Sequence, residues 1–197
     1  MLSALTAESV LERRAADPRV TVRKAAMEDI HPILELINSY AARGIMLPRT
    51  EFELSENIRE FSVAYAGERL VGCGALHFYT PVMAEVRSLA VSPESRTRGI
   101  GWLLVEALVR EAREYHLDAV FAFTYVPEFF AKLGFREVER GGLPLKAWKD
   151  CLRCPKFHSC DEIAVVKMLE PGRRLPHAQA FDVAEDGPVQ LPIIKSQ

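Results

Sequence analysis

Cysteine is scarce in this 197-residue chain, which has four, and three of them lie close together at Cys151, Cys154 and Cys160. A small domain held by disulfides would carry cysteines in pairs along its length. The N-terminal segment also lacks the apolar core of a secretion signal. Together these features predict reduced thiols in a cytoplasmic protein rather than a disulfide framework.

The chain also lacks a large net charge and a long apolar run. Its 25 Lys and Arg residues nearly balance 27 Asp and Glu residues, which gives a formal net charge of -2. Proteins that bind nucleic acid or anionic membranes through bulk charge need a much more basic surface. No apolar segment approaches the roughly 20 residues of a membrane-spanning helix. We therefore expect neither nucleic acid nor membrane as a partner.

Local patterns divide the chain into three parts. Residues 1–19 predict a helical extension that packs either on the domain or on a partner subunit, which would make a homodimer. Residues 20–169 alternate apolar strand patterns with amphipathic helix patterns, as in one α/β domain. Residues 170–197 contain prolines at 171, 176, 188 and 192 and no apolar periodicity, so they predict a disordered tail.

The order of the predicted elements favours a mixed sheet covered by helices on both faces. Asp29 is expected to cap the first helix of the domain, and Gly44 is expected to end it. The predicted strands are 20–24, 62–65, 70–79, 85–91, 119–124, 135–139 and 163–169, and the predicted helices begin near residues 30, 51, 101 and 127.

The most informative stretch is residues 84–108, AEVRSLAVSPESRTRGIGWLLVEAL, which reads as a strand, a turn and a helix. The turn carries Arg96, Thr97, Arg98, Gly99, Ile100 and Gly101 in the spacing R-x-x-G-x-G. Two glycines let the backbone approach a ligand closely, and amide groups at a helix start attract phosphate. We call residues 96–101 the elbow and expect it to bind a pyrophosphate.

The elbow, its flanking strand and helix, and EFFAKLGF at residues 128–135 together resemble the GNAT superfamily of N-acetyltransferases. The resemblance implies a mostly antiparallel sheet of six to seven strands, with acetyl-CoA as cosubstrate. It also implies that the backbone N–H of Leu89 polarises the acetyl carbonyl and that Val91 binds pantetheine. The other cofactor-binding residues that we expect from it are Ala90, Arg96, Thr97, Arg98, Gly99, Ile100, Gly101, Trp102, Phe129 and Phe130.

One position departs from the GNAT pattern. Phe130 stands four residues before Gly134, where many members have a tyrosine that protonates the departing thiolate. A phenyl ring has no proton to give, so Thr124, Tyr125 or water would serve instead.

The predicted central strand contains two charged residues, Glu85 and Arg87, where a covered sheet should be apolar. Simple alternation places both on one face with Leu89 and Val91. Either the two charges form an ion pair at the accessible start of the strand, or they line a polar cleft beside the acetyl-CoA channel. His77, on the neighbouring predicted strand, is a weaker candidate for a base.

The segments GIMLPRT at residues 44–50 and LPLKAWKDCLRCPKFHSCDEIAVVKM at residues 143–168 narrow the resemblance. With Glu85, they are similar to the short bacterial amino-acid acetyltransferases related to N-acetylglutamate synthase. That family implies Glu85 as base, Thr124 as an assisting hydroxyl and Arg49 as a ligand of the substrate carboxylates. We add Arg87 and Lys146 as further cations for a dicarboxylate, with a solvated surface charge as the alternative for each.

The predicted function is therefore direct transfer of an acetyl group to the α-amino group of an amino acid. We expect L-glutamate as acceptor, in the first step of arginine biosynthesis. Two alternatives stay open, namely a GNAT enzyme for a polyamine, an antibiotic or a protein N-terminus, and a CoA-binding module without turnover.

The cysteine cluster has the spacing C-x₂-C-x₃-H-x-C over Cys151, Cys154, His158 and Cys160. These residue types suit zinc, but structural zinc sites usually separate two ligand pairs by a dozen residues or more. We therefore favour reduced thiols that pack a loop, or an oxidisable pair, over a metal site.

Overall fold

The computed structural model describes residues 20–143, 156 and 159–170. The predicted extension and almost all of the predicted tail lie outside this part of the chain, so the proposed domain limits stay predictions. The described residues form helices α1 (Ile30–Ala41), α2 (Glu51–Asn57), α3 (Ile100–Glu114) and α4 (Pro127–Ala131), and strands β1 (Val20–Lys24), β2 (Phe61–Ala66), β3 (Arg69–Thr80), β4 (Met83–Val91), β5 (Ala119–Thr124), β6 (Arg136–Glu137) and β7 (Ile163–Met168).

The seven described strands form one sheet in the order β1-β2-β3-β4-β5-β7-β6. Neighbouring strands run antiparallel except β4 and β5, which are parallel. One face packs against α3 and α4, and the other packs against α1 and α2. The predicted α/β fold, with a mostly antiparallel sheet and helices on both faces, is confirmed. No described helix is long and apolar enough to cross a membrane.

Two apolar stripes attach the helices to the sheet. The stripe of α1 contains Ile33 and Ile37, both fully buried against Val63 of β2 and Cys73 of β3. Cys73 is thus a core residue, as its strand position predicted. The stripe of α3 has the helical spacing i, i+3, i+4 and contains Ile100, Leu104, Val105, Leu108, Val109 and Ala112.

Two predicted boundaries and one predicted cap are wrong. The strand expected at residues 135–139 is only Arg136–Glu137, and the helix expected at residues 51–59 ends at Asn57 in a 3₁₀ turn. The side chain of Asp29 makes no cap hydrogen bond to α1, although Asp29 occupies the N-cap position. Its carboxylate instead accepts the backbone N–H of Ala26 at 2.7 Å.

Gly72 of β3 sets how closely α3 approaches the sheet. A Cβ atom at this position would lie 2.9 Å from Leu104 Cδ1, 3.0 Å from Ile100 Cγ2 and 3.1 Å from the carbonyl oxygen of Ala90. Real Cβ atoms rarely come so close to other atoms, and one of the three neighbours is rigid backbone. A glycine is therefore required where the first turns of α3 rest on the sheet.

A β-bulge at Ser88 changes the faces of β4. Cys73 pairs with Ala90 and Ala75 pairs with Arg87, so one residue of β3 faces two residues of β4. Ser88 accordingly has a φ of 51°, which is rare for a residue other than glycine. The predicted alternation is wrong beyond this point, because Leu89 and Val91 pack on the α3 side, whereas Ala90 packs on the α1 side.

Candidate active site

The sheet opens between its two parallel strands. β4 and β5 pair only at Met83–Ala119, Ala84–Val120 and Glu85–Phe121, within the stretch that the structure describes for both strands. Residues 86–91 of β4 and residues 122–124 of β5 continue without pairing to each other. The edge of β4 that follows Glu85, including Leu89, is therefore not paired with β5, and we call the gap between these two unpaired segments the cleft.

The elbow lies where β4 leads into α3. Residues 93–98 form a 3₁₀ turn, and Gly99 then takes a left-handed φ of 73° at the N-cap of α3. A side chain at Gly99 would be strained, which explains the first glycine of R-x-x-G-x-G. The side chains of Arg96, Thr97 and Arg98 lie outside the described part of the structure, so their contacts stay predictions.

The second glycine of the elbow, Gly101, lies against Phe129 of α4. A Cβ atom on Gly101 would lie 3.3 Å from Cζ of Phe129 and 3.7 Å from Cγ2 of Val91. The elbow, the end of β4 and the start of α4 therefore meet at one point. Three of the predicted cofactor-binding positions are brought together by this contact.

The aromatic residues near the elbow differ in exposure. Trp102 and Phe129 are partly buried at the edge of the core that α3 covers. Phe130 is only 3% exposed and stacks edge-on against Phe129 and Phe135, with ring centroids 5.2 Å and 5.1 Å away. Phe130 is thus part of the core, while Phe129 stays partly exposed, and its contact with the cosubstrate stays a prediction.

Charged residues lie together on the face of β4 that is turned away from α3, beside the start of the cleft. Glu85 is 9% exposed, and its Oε2 accepts the hydroxyl of Tyr79 at 3.0 Å. The carboxylate of Glu60 contacts Nδ1 of His77 at 2.7 Å and accepts Nη2 of Arg87 at 3.1 Å. We call Glu60, His77, Tyr79, Glu85 and Arg87 the Glu85 cluster.

Two members of the Glu85 cluster are absent from the sequence predictions. Glu60 comes from the turn after α2, and Tyr79 comes from β3, where His77 pairs with Glu85 in register. Knowledge of how β3 pairs with β4 would have placed Tyr79 near Glu85. The bulges in that pair shift the register, so the sequence alone does not show which residues lie opposite each other. Arg87, predicted to bind substrate, is held by Glu60 and is mostly buried.

The predicted hydroxyl candidates lie at the end of β5. Thr124 is buried, and its Oγ1 accepts the backbone N–H of Val126 at 3.0 Å. Tyr125 is more exposed, and Nζ of Lys156 donates to its hydroxyl at 3.3 Å. Burial raises the pKa of Tyr125 above its ordinary value despite that contact with Lys156. Neither residue's catalytic role is tested by these contacts.

Arg49 lies in the loop between α1 and α2, with its side chain half-buried. Its backbone is bound on both sides by Asn38 of α1, through its N–H at 2.9 Å and its carbonyl at 3.0 Å. Asn38 is absent from the sequence predictions, because no local pattern distinguishes it. Lys146, the other predicted substrate ligand, lies outside the described residues.

Only one of the four residues of the alternative zinc site lies in the part of the chain that the structure describes. Cys151, Cys154 and His158 lie outside the described residues, and Cys160 is half-buried, with its Sγ 3.9 Å from Oε2 of Glu162. No group of three or more metal-ligating side chains occurs among the residues that the structure describes. The nature of the cysteine cluster therefore stays a prediction.

Comparison with known proteins settles the family. Residues 27–135 match the family model described as the acetyltransferase (GNAT) family. The chain belongs to the GNAT family. As a GNAT member it is an acetyl-CoA-dependent N-acetyltransferase, and the predicted recognition and cosubstrate are confirmed.

Two relatives match most of this chain. The chain is 44% identical over 148 residues to an uncharacterized N-acetyltransferase of Chlorobaculum tepidum, covering 75% of this chain and 96% of the relative. It is 38% identical over 140 residues to the amino-acid acetyltransferase of Mycobacterium tuberculosis, covering 70% of this chain and 79% of the relative.

A solved structure also matches this chain. N-acetylglutamate synthase from Neisseria gonorrhoeae, complexed with coenzyme A and N-acetyl-glutamate, superposes with a TM-score of 0.70 at 30% identity. The match covers 77% of this GNAT chain but only 35% of the synthase. The comparison thus concerns one domain of that longer protein.

Proposed function

We propose that this GNAT domain transfers the acetyl group of acetyl-CoA to the α-amino group of L-glutamate, the first step of arginine biosynthesis. The observation that carries the proposal is the position of Glu85, a buried carboxylate on β4 at the last residue that pairs with β5. An amino-acid acetyltransferase relative and the glutamate-product complex of the Neisseria synthase support the choice of acceptor.

Glu85 acts as the general base. The α-ammonium group must lose a proton before its nitrogen can attack a thioester, and a carboxylate can accept that proton directly or through water. The hydroxyl of Tyr79 donates to Glu85 and holds the carboxylate in one orientation. Glu85 lies at the start of the cleft, so the base stands beside the unpaired edge of β4.

The backbone N–H of Leu89 stabilises the negative charge that forms on the acetyl oxygen. Leu89 follows the bulge at Ser88, on the part of β4 that does not pair with β5. A fixed N–H donor in a cleft with little water stabilises an oxyanion better than solvent does. Thr124 at the end of β5, or water, then supplies a proton to the departing thiolate.

The two substrates bind through different groups. The elbow, with the amide groups of the first turn of α3, binds the pyrophosphate of acetyl-CoA. Arg49 binds substrate carboxylates from the loop that follows α1. Arg87 contributes positive charge, partly balanced by Glu60.

A panel of acceptors with acetyl-CoA tests the proposal. Release of coenzyme A is measured with each amino acid, with a polyamine, an aminoglycoside and a peptide N-terminus. We expect kcat/KM for L-glutamate to exceed that for L-glutamine and L-alanine by at least tenfold, because each lacks the second carboxylate. Equal rates with all amino acids would overturn the glutamate assignment, and absence of any turnover despite coenzyme A binding would indicate a binding module.

A further inference from the structure

The last turn of α1 touches both substrate-binding regions. Asn38 and Tyr40 lie two residues apart near the C-terminal end of this helix. Their side chains reach different parts of the chain. Each forms a hydrogen bond with the backbone of a residue that is predicted to bind a substrate.

Asn38 fixes the backbone of Arg49. Its Oδ1 accepts the N–H of Arg49 at 2.9 Å, and its Nδ2 donates to the carbonyl of Arg49 at 3.0 Å. A pair of bonds from one planar amide restrains both backbone dihedrals of the residue that it holds. The side chain of Arg49 therefore leaves the loop in a defined direction.

Tyr40 fixes the end of β4. The ring is 5% exposed, and its hydroxyl donates to the carbonyl oxygen of Val91 at 2.5 Å. Val91 is the last residue of the strand, and its side chain lies close to Gly101 of the elbow. A displacement of Val91 would shift the backbone on which the cosubstrate is expected to lie.

We infer that Asn38 and Tyr40 are positioning residues for the two substrates: Asn38 orients Arg49 toward the amino acid, and Tyr40 orients Val91 toward acetyl-CoA. The inference rests on the proposed function. It goes beyond it, because neither residue touches a reacting atom and each acts through the residue that it holds.

The apolar contacts of α1 explain why these bonds serve position more than stability. Ile33 and Ile37 are fully buried against the sheet, and they hold the helix without help from Asn38. A single hydrogen bond contributes far less to stability than a buried apolar stripe of this kind. Loss of the bonds should therefore change substrate affinity more clearly than folding.

Asn38→Ala tests the first half. We expect the KM for L-glutamate to rise about tenfold, with kcat and the KM for acetyl-CoA changed less than twofold. Asn38→Asp retains an acceptor for the Arg49 N–H and should give an intermediate KM. Ser39→Ala is the matched control, since it removes a hydroxyl bonded to the carbonyl of Leu36 on the same turn without touching Arg49.

Tyr40→Phe tests the second half and preserves the shape of the ring. We expect coenzyme A, titrated calorimetrically without an acceptor, to bind about fivefold more weakly, while the KM for L-glutamate stays within twofold. Tyr65→Phe is the control, because it removes a different partly buried hydroxyl bond, the one to Asp29. It should leave coenzyme A affinity unchanged.

The crossed pattern decides the inference. A variant that shifts both substrates equally, or neither, while its melting temperature shows a folded protein, overturns the role assigned to that residue. If the wild type prefers another amino acid, the glutamate assignment fails, and the Asn38 variants are measured on the acceptor that the panel identifies. The coenzyme A titration needs no acceptor, so failure of the Tyr40 half is distinct from failure of the proposed function.

Discussion

Two carboxylate clusters in this protein use the same chemical groups for different ends. In the first, which we call the Asp29 cluster, the fully buried Asp29 carboxylate accepts Nη1 of Arg23 at 2.6 Å and the hydroxyl of Tyr65 at 2.7 Å. The Glu85 cluster likewise combines carboxylates with an arginine and a tyrosine. The two clusters differ in bonding, because Arg23 donates to Asp29 itself whereas Arg87 donates to Glu60, and they differ in surroundings.

The Asp29 cluster is closed on itself. Burial raises the pKa of the Asp29 carboxyl, but bonds from Arg23, the Ala26 N–H and Tyr65 outweigh burial and leave that pKa below its ordinary range. Burial and the contact with Asp29 raise the pKa of Tyr65 to about 12. Every group is thus locked in one charge state at neutral pH, which suits a structural tie between β1, β2 and the start of α1.

The Glu85 cluster borders an opening instead. Glu85 is the last residue of β4 to pair with β5, and the residues that follow it leave the β5 side of β4 unpaired. Asp29 lies instead in the turn before α1, where its carboxylate is fully buried. A buried carboxylate is thus a candidate base where two strands separate and a structural residue where its partners enclose it, so substitutions in the two clusters should differ in what they affect.

Glu85→Gln should have the largest effect. We expect kcat to fall by roughly 10³-fold at neutral pH, because an amide cannot accept the proton of the acceptor amine. The thermal midpoint should change little. Steady-state rates across pH measure the effect, with Glu68→Gln in the exposed β2–β3 turn as control; a variant that keeps wild-type rates at every pH rules Glu85 out as the base.

Asp29→Ala should act on stability instead. Removal of the carboxylate leaves Arg23 and Tyr65 without their shared partner, and such changes cost about 3 kcal/mol. Urea unfolding measures the loss, and kcat per folded molecule should stay within twofold of the wild type. Arg69→Ala, which breaks an exposed ion pair with Glu94, should leave the unfolding free energy nearly unchanged. Equal costs for the two variants would contradict a structural role for the Asp29 cluster.

A pair of tyrosine variants sharpens the contrast. Tyr65→Phe and Tyr79→Phe each remove one hydroxyl that donates to a carboxylate. We expect Tyr65→Phe to cost about 1.5 kcal/mol in urea unfolding with no effect on rate. Tyr79→Phe should move the acid limb of the kcat/KM profile to higher pH with a smaller stability loss. The same outcome from both variants would remove the distinction.

The smallest expected effect is on the pH dependence of the unfolding free energy, to which Asp29 contributes. The pKa of Asp29 is lowered on folding, so its contribution is fully present above the unfolded value, about pH 4, and is lost as pH falls through the folded value. The difference in unfolding free energy between wild type and Asp29→Asn should therefore shrink below about pH 4. A difference that grows toward low pH would have the wrong sign.

The local part of the site is predictable from sequence. The elbow, its glycines and the charged residues Glu85 and Arg87 lie within one continuous stretch, so the local pattern together with the GNAT resemblance singles them out as candidates. The strand pattern also places Cys73 in the core. These inferences need only the periodicity of one strand and one helix.

The rest depends on contacts between distant segments. Glu60 lies 27 residues from Arg87, and Asn38 of α1 reaches Arg49 in the loop that follows, so no local pattern reveals either contact. The bulge at Ser88 is set by pairing with β3, and it reverses the faces of Leu89 and Val91. Asp29 was expected to cap α1, but its side chain is better satisfied by Arg23, which lies on another element.

Gly72 affects the elbow indirectly, through the position of α3 on the sheet. Because any larger residue there would push α3 outward, a substitution at Gly72 would tilt the elbow, which lies at the start of that helix. A screen for weakened coenzyme A affinity should therefore recover a position that no ligand touches. Natural variants with a bulkier residue at this site are expected to carry compensating smaller side chains at Ile100 or Leu104.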